Sequence, residues 1–268
     1  MPGLAVRQAR AVDWQERGRM ERSRTTWNPV TGCTPVSPGC RRCYAEQSAK
    51  RLAGRCGYPQ EDPFAITFHA DRLEQPGSWR KPRYIFVCSM GDIFHSDVSS
   101  ETRRKIFEVM AESRRHIFIV LTKRPQALAL WATSQKPSFL SRLLDQVWMG
   151  VSVEDQIRTQ ERVPVLVRSW PGLSLVSCEP LLGPVDLFPW LARPGSPGVQ
   201  WVMAGGETGP GSQAADLRDL RSLRNQCRAC DTPFYLHQIG GPGTKKSGRM
   251  LDGRTWKQMP PEHVRPHL

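Results

Sequence analysis

Six short runs of apolar, β-branched or aromatic residues recur along the chain, and each ends abruptly in a polar or charged cluster. Tyr84 to Cys88 precedes Ser89-Met90-Gly91-Asp92, Ile117 to Leu121 precedes Thr122-Lys123-Arg124-Pro125, and Val147 to Val151 precedes Ser152-Val153-Glu154-Asp155. Leu173 to Val176, Trp201 to Ala204 and Phe234 to Leu236 lead in the same way into Ser177-Cys178-Glu179-Pro180, Gly205-Gly206-Glu207 and His237-Gln238. Helix-like stretches separate several of these runs. Behind a Ser100 cap, Ile106, Phe107 and Met110 share one face, and Leu217, Leu220, Leu223 and Cys227 do so later. Tyr44 to Leu52 also predicts a helix, stopping at Gly54, and a first strand is expected around Thr25 to Trp27. Strands alternating with helices predict parallel β-α units, whose strand-end polar residues gather at one mouth. Each cluster alone reads as an ordinary β-α loop; their succession is what points to a site.

The chemistry-bearing residues closest together are Cys33, Cys40 and Cys43, on the loop that follows the expected first strand. If the segment after Cys43 is helical, Cys40 and Cys43 lie at a helix N-terminus, where the dipole favours thiolate. A zinc site would need a fourth ligand, which Cys56 or His69 could supply. A [4Fe-4S] cluster held by three thiolates leaves one iron open to a substrate or cofactor. Unliganded loop thiols are the third alternative. Of the remaining cysteines, Cys227 and Cys230 form a Cys-x2-Cys pair best read as structural thiols. Cys88 and Cys178, at strand ends, fit packing better than hydrogen-atom donation.

At 268 residues the chain is long enough for one domain of barrel size. Lys and Arg number 38 against 25 Asp and Glu, a net charge of +13 with a sequence pI near 9.8, which suggests DNA or RNA as a partner unless the arginines merely reflect codon usage. Eight cysteines are too few for a disulfide scaffold, and no stretch resembles a signal peptide or membrane span, so a reduced, cytoplasmic protein is expected. Residues 1–24 form an arginine-rich arm that could order on a polyanion or stay solvated; 25–240 form the β-α domain; 241–268 form an extension whose Lys245, Lys246, Arg249 and Arg254 could cover the mouth or touch an anionic substrate. Residues 193–198 read as a loop inside one domain.

A three-cysteine loop after the first strand of a β-α barrel resembles the radical S-adenosylmethionine (SAM) superfamily. The chain is more closely similar to a phage and prophage family of unknown function known by its three-Cys motif, through TWNPVTGC, CYAE, FHSDV, VLTKRP, GVSVEDQ, SCEPLLGP, GGETGPG and LDGRTW, from about Thr26 to Trp256. The resemblance implies an α/β fold, an incomplete (β/α)6-type barrel in a single domain. It also implies a [4Fe-4S] cluster on Cys33, Cys40 and Cys43, SAM bound at the open iron and cleaved to a 5′-deoxyadenosyl radical, and an electron donor of flavodoxin or ferredoxin type. The expected action is modification or repair of a nucleic acid or nucleotide-derived substrate. The alternatives are a zinc- or cluster-stabilised nucleic-acid-binding module without catalysis, and a radical enzyme acting on protein or a small metabolite.

By the same resemblance the loop carrying Gly91 and Asp92 meets the SAM amino group, with Asp92 pairing the ammonium. Ser152 and Glu154 point to the ribose or carboxylate, or else cap a helix. Lys123 and Arg124 are expected to neutralise a SAM carboxylate or a substrate phosphate, and Glu207 to face the mouth as a SAM or substrate contact. The superfamily's common Cys-x3-Cys-x2-Cys spacing is not kept, since six residues separate Cys33 from Cys40. Its adenine-packing aromatic is also replaced, by Arg42, leaving Tyr44 or Trp27 as substitutes.

Overall fold

The structure, a computed structural model, describes residues 24–193, 196–209, 211–242 and 248–260. The expected basic arm lies outside the described residues except for Arg24, as do Lys245 and Lys246. Strand β1 (Arg24–Trp27) is followed by a small antiparallel pair, β2 (Val30–Thr31) with β3 (Thr67–Phe68), which encloses helix α1 (Tyr44–Arg51). Short α2 (Gln75–Ser78) then leads to β4 (Tyr84–Val87), α3 (Ser100–Glu112), β5 (Ile117–Thr122), α4 (Pro125–Ser134), α5 (Pro137–Ser141), β6 (Val147–Ser152) and α6 (Gln156–Ser169). After β7 (Ser174–Cys178) come β8 (Val199–Ala204), α7 (Leu217–Ala229) and β9 (Phe234–Leu236), and the chain closes with the hairpin β10 (Met250–Leu251) and β11 (Arg254–Thr255).

Seven of these strands form one sheet in the order β1-β4-β5-β6-β7-β8-β9, every pair parallel. Sequential order with same-direction pairing is the topology of a β-α barrel, and with β1 and β9 as opposite edges the barrel is left open. The expected α/β incomplete barrel is therefore what the chain forms, with seven strands: the expected first strand and the six apolar runs. No α-helix joins β7 to β8 among the described residues, and a 3-10 turn at Phe188–Trp190 takes its place. Among the described residues, no helix is long and apolar enough to cross a membrane.

Alternation along the strands sorts the side chains into two cores. Ile85, Val87, Phe118, Val120, Val151, Val176 and Val202 pack with Phe107, Met110, Leu128, Trp131, Val163, Leu166, Leu220 and Leu223 of the helices. Tyr84, Ile119, Trp148, Leu175, Trp201, Met203 and Tyr235 meet on the other face of the sheet. There, ring centroids 5.4 Å apart for Tyr84 and Trp148, 5.7 Å for Trp148 and Trp201 and 6.2 Å for Trp201 and Tyr235 make a continuous aromatic rung.

Two local details differ from expectation. The cap of α3 is Ser99, whose side chain accepts from the Thr102 amide, one residue before the expected Ser100. Leu217, expected on the apolar face of α7, is 40% exposed, because that helix starts there and only Leu220, Leu223 and Cys227 reach the core.

The described part of the expected C-terminal extension does not cover the mouth by strand pairing; it lies along the free edge of β9. The Trp256 carbonyl accepts from the Leu236 amide at 3.1 Å, and the Gln258 amide donates to the Phe234 carbonyl at 3.1 Å. An edge strand's unpaired backbone groups are thereby satisfied. Met259 packs against the inner core, and the Gln258 carbonyl accepts from the Trp201 indole at 3.0 Å.

Gly150 sits in the tightest part of the barrel interior. A Cβ there would stand 2.6 Å from Leu175 Cγ and 2.8 Å from Leu121 Cδ2. Gly150→Ala is expected to overpack this layer and destabilise the fold by about 1–3 kcal/mol. A thermal melt reads this as a lowered midpoint; an unchanged or raised midpoint would mean the layer can dilate freely.

Candidate active site

Cys33 follows the β2 strand through Gly32, a position only glycine fits. Its φ is +92°, its amide donates to the Met90 carbonyl at 2.9 Å, and a Cβ would lie 2.2 Å from the Ala65 carbonyl oxygen. Gly32 forms a parallel bridge with Gly91, where a Cβ would meet the Gly32 carbonyl oxygen at 2.7 Å. These paired glycines press the cysteine loop against the loop that follows β4. Cys40 ends a 3-10 turn at Pro38–Cys40, and Cys43 occupies the N-cap position of α1. The expected helix after Cys43 is present.

All three thiols line one cavity of about 490 Å³. Phe86, Leu121 and Met203 contribute apolar wall, and Thr26, Gly91, Asp92, Lys123, Ser152, Ser177, Glu179 and His237 contribute polar wall. The polar clusters that follow the strands therefore do converge on one mouth. Tyr44 lines it, its hydroxyl donating to the Ser89 carbonyl. Trp27 is fully buried in the helix-side core with its indole bonded to the Arg72 carbonyl, so of the two expected aromatic substitutes only Tyr44 borders the cavity.

Asp92 stands at the cavity wall but is saturated by the protein. Its carboxylate accepts from the Phe94 amide at 2.9 Å, the Thr122 hydroxyl at 2.9 Å, the Lys123 amide at 3.2 Å and Arg124 Nη1 at 3.0 Å. Arg124 in turn reaches Cys33 Sγ at 3.3 Å and the Thr34 carbonyl at 3.0 Å. Asp92 thus positions Arg124 against the cysteine loop. Burial pushes the Cys33 thiol up, the Asp92 charge adds to this, and Arg124 opposes both.

Glu154 and Glu207, expected as ligand contacts, are placed elsewhere: neither is among the described residues that line the cavity. Glu154 Oε1 accepts from the Gly39 amide at 3.2 Å while Oε2 pairs with Arg162 at 3.1 Å. Glu207 Oε2 pairs with Arg42 at 2.8 Å and accepts from the Gln213 amide at 3.1 Å. Both carboxylates brace the cysteine loop from behind. The helix-capping alternative for Ser152 and Glu154 falls to Asp155 instead, whose side chain accepts from the Arg158 amide at 2.8 Å. Ser152 and Lys123 do border the cavity, and so does Gly91.

Several cavity residues received no individual role from the sequence, a polar pair among them. Glu179 and His237, the first residues beyond β7 and β9, are joined by a 2.6 Å bond between Oε2 and Nδ1. The signal that could have found them is their position: each continues its strand's alternation by one step.

The donor set bears on which metal centre the thiols suit. Cys56 is exposed, and His69 is buried and bonded to the Thr31 hydroxyl at 2.8 Å; neither lines the cavity. Among the described residues, no group of three His, Cys, Asp or Glu side chains is gathered tightly enough for a single ion. The three thiols border one cavity without Cys56 or His69 beside them among its lining residues, a donor set compatible with a cluster that leaves one iron open. Cys178 and Cys227 are fully buried in the helix-side core, where burial pushes both thiols up, Cys227 to about 12. Cys88 is buried too, its thiol pushed up to about 12 by burial, although its residue borders the cavity.

One protein-family model, described as Protein of unknown function (DUF5131), matches residues 17–260. No protein of curated function matches the chain in sequence. Among solved structures it is similar to spore photoproduct lyase: against a cysteine-to-serine mutant, identity is 10% over 85% of this chain and 79% of that one, with a TM-score of 0.49. A complex of the lyase with dinucleoside spore photoproduct scores similarly, at 10% identity, 77% and 74% of the two chains and a TM-score of 0.48. Against a double mutant with bound AdoMet and dinucleoside spore photoproduct, identity is 11% and the TM-score 0.44 over 80% of this chain, which spans only 56% of that one. Likeness at this level carries no functional argument, and the fold assignment rests on the sheet topology.

Glu154→Ala would leave the buried Arg162 guanidinium without its carboxylate and the Gly39 amide without its acceptor. Stability in a urea titration is expected to fall by about 3–5 kcal/mol, with faster amide exchange at Gly39. Unchanged stability and exchange would show that the loop is held by its other contacts.

Proposed function

The chain belongs to the DUF5131 family of proteins of unknown function, so no activity comes with membership, and from the site itself we propose a radical SAM enzyme. The observation that carries the reading is that Cys33, Cys40 and Cys43 line one cavity together with the polar groups that follow the parallel strands. When bound, a [4Fe-4S] cluster with one open iron would supply the electron that cleaves SAM to a 5′-deoxyadenosyl radical. Cys33, Cys40 and Cys43 would hold it, with Arg124 beside Cys33 offsetting negative charge.

The remaining residues divide into those that hold the loop and those left for ligands. Glu154 holds the loop's backbone at Gly39, Glu207 holds its Arg42, and Asp92 holds Arg124 against it. Gly91 lets the loop after β4 approach closely, and Tyr44, Ser152 and Lys123 offer a ring, a hydroxyl and a cation to the cavity. The apolar wall of Phe86, Leu121 and Met203 limits water around a reactive group. Chemistry of this kind needs a reductant partner of flavodoxin or ferredoxin type. The +13 charge favours a nucleic acid or nucleotide-derived substrate over a protein or metabolite.

Anaerobic reconstitution with iron and sulfide is expected to load four irons per chain. Cys33→Ala, Cys40→Ala and Cys43→Ala should each lose the cluster while Cys56→Ala keeps it, and reduced wild type should convert SAM to 5′-deoxyadenosine. Loss of metal on Cys56→Ala, or zinc as the bound metal, would favour the non-catalytic module instead.

Binding of mixed-sequence DNA and RNA should weaken along a salt series, with log affinity falling linearly in log salt. Absence of binding at low salt would remove the nucleic-acid part of the reading.

A further inference from the structure

Of the three thiols on the cysteine loop, Cys33 alone has a charged hydrogen-bond donor against its sulfur. Arg124 Nη1 lies 3.3 Å from Cys33 Sγ, whereas Cys40 Sγ has only the Ser37 hydroxyl, at 3.9 Å, and Cys43 Sγ has no hydrogen-bond partner among the described residues. The guanidinium is divided between two tasks. Nη2 donates to the Thr34 carbonyl at 3.0 Å and to the Thr34 hydroxyl at 3.1 Å, which is enough to tie the loop. Nη1 carries two further hydrogens, and it faces Asp92 Oδ2 at 3.0 Å and Cys33 Sγ. A tie alone does not need the contact with sulfur.

Asp92 fixes the direction in which Nη1 points. Its carboxylate is itself held by the Phe94 and Lys123 amides and the Thr122 hydroxyl, and the Arg124 amide donates to that same hydroxyl at 2.9 Å. The Arg124 and Asp92 side chains are 15% and 7% exposed, so water competes little for these contacts. The pair is neutral as a whole, but its positive end is the end turned to the sulfur. Burial and the Asp92 charge work against a thiolate at Cys33, and Arg124 works for one.

We propose that Arg124, aimed by Asp92, is a positioning residue that acts through the Cys33 sulfur to raise the potential at which the bound cluster accepts its electron. The inference rests on the cluster reading above. A cluster becomes more negative on reduction, and its potential follows net charge and the hydrogen bonds to its sulfurs. A cationic donor on one thiolate therefore stabilises the reduced form more than the oxidised form, and eases electron transfer from the reductant partner. Arginine suits the role better than lysine, because one planar fork serves the loop carbonyl, the carboxylate and the sulfur together.

An anaerobic redox titration of the reconstituted protein without SAM, followed by electron paramagnetic resonance of the reduced cluster, tests this. Arg124→Gln is expected to lower the midpoint by about 59 mV, a tenfold fall in the ratio of reduced to oxidised cluster at a given potential for a one-electron couple. Arg124→Lys, which keeps the charge without the fork, should fall between Arg124→Gln and wild type. Arg104→Gln, which removes an exposed cation of α3 paired with Glu108, should leave the midpoint where it was. Iron content and melting midpoints show which variants stay loaded and folded. If Arg124→Gln loses the cluster, Arg124→Lys is read alone, and a midpoint below wild type is expected of it.

A midpoint in the Arg124 variants equal to or above wild type, an equal shift in Arg104→Gln, or loss of the cluster from both Arg124 variants overturns the proposal. A wild type that loads no four-iron cluster sinks the cluster reading, and this inference with it. A loaded wild type whose midpoint is indifferent to Arg124 sinks the inference alone.

Discussion

The organisation of this molecule depends on how an irregular, proline- and glycine-containing loop is held across the end of a sheet that does not close. Between Gly32 and Cys43 the chain makes only one 3-10 turn, so its backbone groups and thiols cannot be fixed by a ladder of its own. They are fixed from outside. Met90 takes the Gly32 amide, His95 and Arg124 take Thr34, Glu154 takes the Gly39 amide, and Glu207 takes Arg42. These partners follow β4, β5, β6 and β8, so one loop ties together strands that are not all neighbours in the sheet.

That arrangement explains why three carboxylates in the strand-end loops are taken up by contacts within the protein. A buried carboxylate is costly unless it is paired and hydrogen-bonded, and each of these has an arginine: Asp92 with Arg124, Glu154 with Arg162, Glu207 with Arg42. Two of the three arginines then extend the effect, since Arg124 reaches Cys33 and Arg42 lies between Cys40 and Cys43. The charge at the mouth is committed to geometry. What remains for chemistry is a smaller set: the thiols, Lys123, Ser152 and the Glu179–His237 pair.

The sheet was legible because buried parallel strands read as short apolar runs, and six such runs in order after an expected first strand leave little choice of topology. Beyond the cysteine motif, the direction of a side chain was legible within one step of a strand. Ser177 and Tyr235 face inward, Cys178 and Leu236 face the helices, and Glu179 and His237 return to the cavity because the period-two alternation persists to the strand's last residue and one beyond. Glu154 lies two residues past the end of β6, and Glu207 three past β8. There the ladder no longer dictates direction, and the position of each side chain is set by a long-range partner, Gly39 or Arg42, that no local pattern reveals. Asp92 is five residues past β4, and it reaches the wall only because Gly91 is pinned to Gly32.

The inner face of the sheet adds a constraint that charge alone would not supply. Below the cavity the rung of Tyr84, Trp148, Trp201 and Tyr235 fills the barrel, and Met259 from the C-terminal segment packs against it. Residues one step further along the same strands, Phe86 and Met203 among them, form the cavity's apolar wall. The polar groups are therefore confined to the rim, and any ligand must lie between an apolar floor and a roof formed by the cysteine loop. In such a setting a polar group cannot exchange its partner for bulk water at little cost. The Glu179–His237 pair at the cavity wall therefore bears more on what can bind than the surface charge of the whole chain does, because it acts where solvent compensates least.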